Sequence, residues 1–142
     1  MYAHAVGEQF AIAKGPVTTT QLVMYAGASG DFNRIHYDLP FAQEAGLGGV
    51  IAHGMLTMGF AAQLLTCWGG AGCFVQAIDA RFLSPVRPGD TVHLQGAVTS
   101  ISQTNGGRSV AVEFSGKVAD REAIAGSGLV TFPSQSRSHY PA

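Results

Sequence analysis

Residues 53–68 read HGMLTMGFAAQLLTCW, and this stretch decides the fold of the chain. It contains no Asp, Glu, Lys or Arg, and its large apolar side chains fall on nearly every side of a helix. A helix of this kind is buried over most of its surface. At about 1.5 Å per residue it is roughly 22 Å long. The rest of the chain therefore has to supply a layer that wraps around it.

The segments after this helix alternate apolar and polar side chains, which is the pattern of strands. Strands are predicted at 74–84, 91–102, 108–118 and 123–132, with turns at 88–90, 105–107 and 120–122. Before the helix, the sequence predicts a strand at 8–14, a helix opened by a Thr18–Gln21 capping box, and a helical turn at 41–45. Four strands in antiparallel succession need an apolar partner, and the buried helix is the available one. The predicted fold class is α+β, a hotdog fold in which an antiparallel sheet wraps around one long helix.

The composition predicts one domain with an oligomeric partner. The chain has 142 residues, so we expect a single domain over 1–133 and a flexible tail at 134–142. Charged residues make up 12%, about half the usual share, which indicates a surface partly buried in a homodimer or in a heterodimer with another hotdog chain. The net charge is −1 and the eight Lys and Arg residues are scattered, which argues against nucleic acid as a partner.

Several features of the sequence favour a cytoplasmic protein without a membrane partner. No apolar run reaches the roughly 18 residues of a membrane span, and the first 14 residues lack the pattern of a secretory signal. Cys67 and Cys73 are not spaced like metal ligands, and a disulfide between them would distort the helix predicted to hold Cys67. Free thiols are typical of a reducing compartment.

Polar residues are concentrated in the loop at 29–36, between two apolar elements. One interpretation is a solvated loop in which Asp31 and Asn33 form turns. The other is a general acid–base pair, because Asp31 and His36 can converge on one water molecule and His titrates near neutral pH. Gly54 also has two interpretations: a tight entry into the buried helix, or a bare N–H at a helix start that receives a carbonyl oxygen.

Metal and nucleophilic chemistry find little support in the sequence. Asp31, His36 and His53 could form a set of metal ligands, but no pair of them shares a helix face and nothing supports them. Ser29 does not lie in a G-x-S-x-G turn, and Cys67 has no nearby base. We therefore expect no metal, and His53 is interpreted as a core or capping histidine.

Three motifs carry a resemblance to a known family. The stretch YAGASGDFNRIH at 25–36, followed by Ala42, resembles the hydratase 2 motif of the MaoC-like (R)-specific enoyl-CoA hydratases and dehydratases. The residues IAHGML at 51–56 resemble the second signature of that family, and Arg81-Phe82, Pro85-Val86 and Gly89-Asp90 resemble its third. The likeness extends to Phe132 and is greatest to single-hotdog members. Arg34 stands where the family usually has Pro, which we expect to leave the loop freer and to add a cation near the site.

The resemblance implies hydration of a trans-2-enoyl-CoA or enoyl-acyl-carrier-protein thioester to the (3R)-hydroxyacyl thioester, and the reverse, without a cofactor. It implies that Asp31 and His36 hold and activate the water, in roles that stay open, and that the Gly54 N–H binds the thioester oxygen. Asn33 would orient the loop. By the same resemblance Ala62, Leu65 and Val130 line the acyl pocket, although each is equally compatible with plain core packing.

Two other functions remain as alternatives. A hotdog thioesterase commonly places a catalytic carboxylate on the buried helix, and no Asp or Glu occurs from Gly54 to Trp68. A non-catalytic partner subunit of a heteromeric dehydratase is expected to lack Asp31 or His36, and both are present. Both observations favour the hydratase.

Overall fold

A five-stranded antiparallel sheet surrounds one long helix in the computed structural model, which describes residues 4–134. The strands are β1 Gln9–Lys14, β2 Phe74–Phe82, β3 Val92–Thr104, β4 Gly107–Val118 and β5 Arg121–Pro133, and the helices are α1 Thr19–Ser29, α2 Leu39–Glu44 and α3 Gly54–Gly69, with a 3₁₀ turn at Arg34–His36. The predicted hotdog architecture is confirmed. Of the predicted tail at 134–142, all but Ser134 lies outside the described residues.

The sheet order is β1-β3-β4-β5-β2. The predicted succession of neighbouring strands holds for β3, β4 and β5, but it is wrong for β2, which pairs with β5 at the far edge of the sheet. The connection 83–91 explains the difference, because it is too long for a tight hairpin and contains Pro85 and Pro88. Its backbone is held across the sheet by a hydrogen bond from Leu83 N to Ala123 O. The placement of β2 leaves one of its edges unpaired.

The core lies between α3 and the inner face of the sheet. Leu64 and Leu65 of α3 are fully buried against strand residues such as Leu94 and Val130. Burial of each of these side chains contributes roughly 1.5–3 kcal/mol. The opposite side of α3 is exposed at Met55 and at neighbouring small and polar positions. The sheet therefore covers one face of the helix only, and the prediction that the helix is buried over most of its surface is wrong for the single chain.

The predicted start of α1 is confirmed. The helix begins at Thr19, and the Thr18 side chain accepts a hydrogen bond from Gln21 N at 3.1 Å. Both cysteines are free thiols, as predicted, and Cys67 lies on the exposed side of α3. No helix among the described residues is long and apolar enough to cross a membrane.

Candidate active site

Asp31 lies directly after α1, where Gly30 ends the helix in a left-handed conformation with φ of 74°. The Ser29 hydroxyl accepts a hydrogen bond from Asp31 N at 3.2 Å, and Asp31 Oδ1 accepts one from Asn33 N at 3.2 Å. These local bonds orient the carboxylate while 53% of the side chain stays exposed. Oδ2 is thus left available for a ligand.

His36 is held by the 3₁₀ turn that follows. Asn33 caps this turn, since its Oδ1 accepts from Ile35 N at 3.3 Å. The buried His36 ring places Nδ1 2.8 Å from the carbonyl oxygen of Ile51. A carbonyl only accepts hydrogen bonds, so Nδ1 donates and the neutral ring presents a bare lone pair at Nε2.

The two predicted functional side chains meet at this point. His36 Nε2 lies 4.0 Å from Asp31 Oδ2. This separation is too long for a direct hydrogen bond and allows one water molecule to lie about 2.8 Å from each atom. Both atoms are acceptors when His36 is neutral and Asp31 is ionised. A water between them can donate both of its protons and keep a lone pair for attack.

His53 contacts both Asp31 and His36. Its Nε2 donates to the backbone oxygen of Asp31 at 3.1 Å, and its ring stacks on that of His36 with centroids 3.7 Å apart and planes 21° apart. Ligand atoms of Asp31, His36 and His53 lie within 4.8 Å of one another. The lone pairs of a nitrogen ligand lie in the ring plane, so two stacked rings direct them side by side. The three side chains therefore fit a metal ion poorly, because Zn–N bonds of about 2.0–2.1 Å require the lone pairs of both rings to point at one position.

Gly54 is the first residue of α3, as predicted, and its N–H has no acceptor among residues 4–134. Its lack of a side chain has a cause that sequence reasoning missed. A Cβ at Gly54 would lie 3.0 Å from Cε2 of Phe82, whose ring packs over the helix start. No local pattern could reveal this contact, since Phe82 arrives on β2 from 28 positions further along the chain.

A cleft of about 370 Å³ is lined by His36 and Gly54, whereas Asp31 and His53 are not among its lining residues. Its lining is mostly apolar and comprises Ile35, His36, Ile51, Ala52, Gly54, Thr57, Phe82, Leu83, Ser84, Pro85, Val86 and Ala123. The Ser84 hydroxyl is occupied, because it donates to Glu122 O and accepts from Arg121 Nη1. An apolar cleft whose lining includes an imidazole and a glycine with an unpaired N–H suits an acyl thioester.

The three residues assigned to the acyl pocket by resemblance lie elsewhere. Ala62, Leu65 and Val130 are not among the residues that line this cleft. Leu65 and Val130 are fully buried and pack in one core cluster, and Ala62 is half-buried on α3. Their role toward an acyl chain stays a prediction.

The Arg34 side chain is paired with a carboxylate of the same chain. Its guanidinium donates to Asp38 Oδ2 from Nε at 2.9 Å and from Nη2 at 2.7 Å, and it covers the ring of Phe41. The hydrogen bond from Arg34, with that from Phe41 N, holds the pKa of Asp38 below its ordinary value. Asp38 also caps α2. The charge of Arg34 is thus already paired, and the expectation of a freer loop stays a prediction.

A larger groove, of about 630 Å³, lies elsewhere, over β1, β3 and β4. Glu113 is the one charged side chain in its lining. The groove offers no second group for acid–base work. The His36 imidazole and the Gly54 backbone line the smaller cleft instead.

Comparison with known proteins shows which family the chain belongs to. The chain matches the MaoC like domain over residues 2–120. It is 31% identical to the (R)-specific enoyl-CoA hydratase of Rhodospirillum rubrum, over 91% of this chain and 88% of that protein. It is 30% identical to the 3-hydroxybutyryl-CoA dehydratase of Methylorubrum extorquens, over 89% of this chain and 80% of that protein.

A solved structure, the (R)-hydratase from A. caviae involved in PHA biosynthesis, has the same fold. The TM-score is 0.83 at 24% sequence identity, and the alignment covers 94% of this chain and 100% of the A. caviae chain. The family match spans most of the sequence, including the Asp31 loop and the start of α3. The chain belongs to the MaoC-like domain family.

Proposed function

We propose that the protein is an (R)-specific enoyl-thioester hydratase, a hydro-lyase that adds water to a trans-2-enoyl thioester and catalyses the reverse dehydration. One observation carries this proposal: Asp31 Oδ2 and His36 Nε2 are 4.0 Å apart, and His36 lines a cleft together with Gly54, whose N–H has no acceptor among residues 4–134. The names of the relatives in Rhodospirillum rubrum and Methylorubrum extorquens support the same reaction, and the name of the first supports R stereochemistry.

The proposed reaction begins with a water held by Asp31 and His36. Its oxygen attacks C3 of the enoyl group, and the C2–C3 π electrons move toward the thioester carbonyl as a C–O bond forms. The pair takes one proton from the water and delivers one proton to C2, which gives the 3-hydroxyacyl thioester. A positioned acid–base pair contributes typically about 10²–10⁴-fold.

Charge accumulates on the thioester oxygen while the C–O bond forms. The Gly54 N–H lies at the N-terminus of α3, where unpaired amides and the helix dipole favour negative charge. A single oxyanion donor is worth about 10²–10³-fold. This assignment needs no metal and no cofactor. The water, the Asp31–His36 pair and the Gly54 N–H account for every proton and electron pair in the reaction.

The substrate is proposed to be an acyl thioester of CoA or of acyl carrier protein. Arg81 and Arg87 have no ion-pair partner among residues 4–134, whereas Arg34 is paired with Asp38. The two unpaired arginines are the candidates to meet phosphate groups, which both carriers share. An assay with CoA and acyl-carrier-protein thioesters in parallel distinguishes the carriers.

The active unit is proposed to be a dimer. Strand β2 is paired with β5 on one side only, and Phe74, Phe82 and Leu83 at its two ends are 66%, 49% and 48% exposed. An open strand edge flanked by apolar side chains favours association with another sheet. A second copy of this chain is the proposed partner, with another hotdog chain as the alternative.

The test uses the purified chain alone with crotonyl-CoA. Loss of the conjugated-thioester absorbance, with (3R)-hydroxybutyryl-CoA as the product on chiral analysis, is the expected result. An S product would refute the stereochemical assignment. Release of free CoA without hydration would favour the thioesterase, and inertness toward a ladder of enoyl chain lengths would favour a non-catalytic subunit.

A further inference from the structure

His53 contacts both of the groups proposed to hold the water, although it does not line the cleft. Its Nε2 bonds to the backbone oxygen of Asp31, and its ring stacks on His36. As the residue before Gly54 it also accepts, through its own carbonyl, the hydrogen bonds of Leu56 N and Thr57 N that begin α3. One residue thus connects the carboxylate, the imidazole and the free amide.

The ring of His53 is a costly choice for a core position. It is 1% exposed, and its Nε2–H is committed to the carbonyl of Asp31, so the neutral ring carries a bare lone pair at Nδ1. That Nδ1 is buried and has no hydrogen-bond partner in the described part of the chain. A buried unsatisfied polar atom is destabilising. Packing alone would be served better by an apolar ring, which indicates that the Nε2–H bond is the reason for histidine.

The bond from His53 matters because the other bonds at Asp31 are local. Ser29 and Asn33 lie within two residues of Asp31. The His53 bond spans 22 positions and ties the loop to the start of α3. No other hydrogen bond among residues 4–134 joins the backbone of Asp31 to the element that carries Gly54.

We infer that His53 is a positioning residue of the proposed hydratase: its Nε2–H fixes the backbone of Asp31, and its ring fixes the plane of His36, so that the two acceptors keep the separation that one water can bridge. The inference rests on the proposed function. Misplacement of a reacting group by about 1 Å can cost about 10²-fold in rate. Removal of either the Nε2–H bond to Asp31 or the ring stacked on His36 should therefore lower kcat.

The first test compares His53→Phe with His53→Gln. Phe keeps a stacked ring and removes the donor, so we expect kcat to fall at least about tenfold with KM changed less than about twofold, because His53 does not touch substrate. Gln supplies an N–H donor and should recover part of the lost kcat. His93→Phe, at an exposed position of β3, is the matched control and should leave both constants unchanged. An unchanged kcat in folded His53→Phe would overturn the inference.

The second test separates positioning from general damage to the fold. Asp31→Ala removes the carboxylate but keeps the backbone oxygen that His53 binds. If His53 acts through the Asp31 carboxylate, adding His53→Phe to Asp31→Ala should lower kcat much less than it does in the wild type. An equal loss in both backgrounds would contradict the inference.

A third readout does not depend on activity. Amide hydrogen exchange in the 31–36 loop should be faster in His53→Phe than in the wild type, and near wild type in His53→Gln. A wild-type chain that fails to hydrate any enoyl thioester would sink the proposed function and leave this exchange result standing. Identical exchange in His53→Phe and the wild type would sink the role of His53.

Discussion

At the scale of single residues, Gly54 serves two purposes that a side chain would disturb. Its N–H has no acceptor among residues 4–134, and a Cβ would lie only 3.0 Å from the Phe82 ring. The sequence indicated the first purpose, because a glycine at a helix start is a local signal. It could not indicate the second, because the contact depends on where β2 lies in the folded sheet.

We expect Gly54→Ala to lower kcat/KM by about tenfold to a hundredfold while the chain stays folded, because the half-exposed Phe82 ring is pushed over the amide. Gly59→Ala is the matched control on the same helix, since a Cβ there meets nothing within 4 Å. That control should keep full activity and gain stability, on the order of 0.5–1 kcal/mol. Kinetics and thermal unfolding of both variants check this.

The combination of Gly54→Ala with Phe82→Leu identifies the cause. If the ring obstructs the amide, the smaller Leu should restore part of the activity lost in Gly54→Ala. No recovery would mean that the alanine methyl itself excludes the thioester oxygen. Full activity in Gly54→Ala alone would contradict the role given to the amide.

At the scale of elements, the sequence predicted what periodicity and turn residues determine. The ends of α3 and β4 follow from local pattern, and so does the loop that brings Asp31 near His36. The neighbour of β2 depends on tertiary contacts, which no alternation pattern encodes. The pairing of Arg34 with Asp38 is local, four residues apart, and sequence reasoning missed it. The expectation of a freer loop stays a prediction.

The Arg34–Asp38 pair predicts a pH dependence. The pKa of Asp38 is held below its ordinary value of 3.8, chiefly by the hydrogen bond from Arg34. A carboxyl whose pKa is lowered by folding stabilises the protein above its ordinary pKa and loses that contribution as the pH falls through the folded pKa. Asp38→Asn keeps a capping oxygen and removes the ion pair. Its Tm deficit relative to wild type should be small, since the pair is exposed, and should shrink at acid pH.

The measurement is the Tm of both proteins at about pH 6 and at about pH 3. Asp79→Asn, at an exposed position of β2 without an ion pair among residues 4–134, is the control. A deficit for Asp38→Asn that is equal at both pH values would show that the ion pair contributes nothing.

At the scale of the whole molecule, the low share of charged residues and the open edge of β2 predict association. The chain should behave as a dimer in light scattering at micromolar concentration. Phe74→Glu places a charge beside the open edge and should shift the mass toward the monomer. Val23→Glu, at an exposed apolar position of α1, should leave the dimer intact. A monomeric wild type would contradict this prediction and favour a heteromeric assembly.

The central claim is that Asp31 and His36 act as one unit on one water. Its most direct test is the turnover of crotonyl-CoA by Asp31→Asn, by His36→Ala and by the double variant, with circular dichroism to verify the fold. We predict that each single change lowers kcat at least about a hundredfold and that the double variant is hardly slower than the worse single one. Near wild-type turnover in either folded single variant, or fully multiplicative losses in the double variant, would contradict the claim.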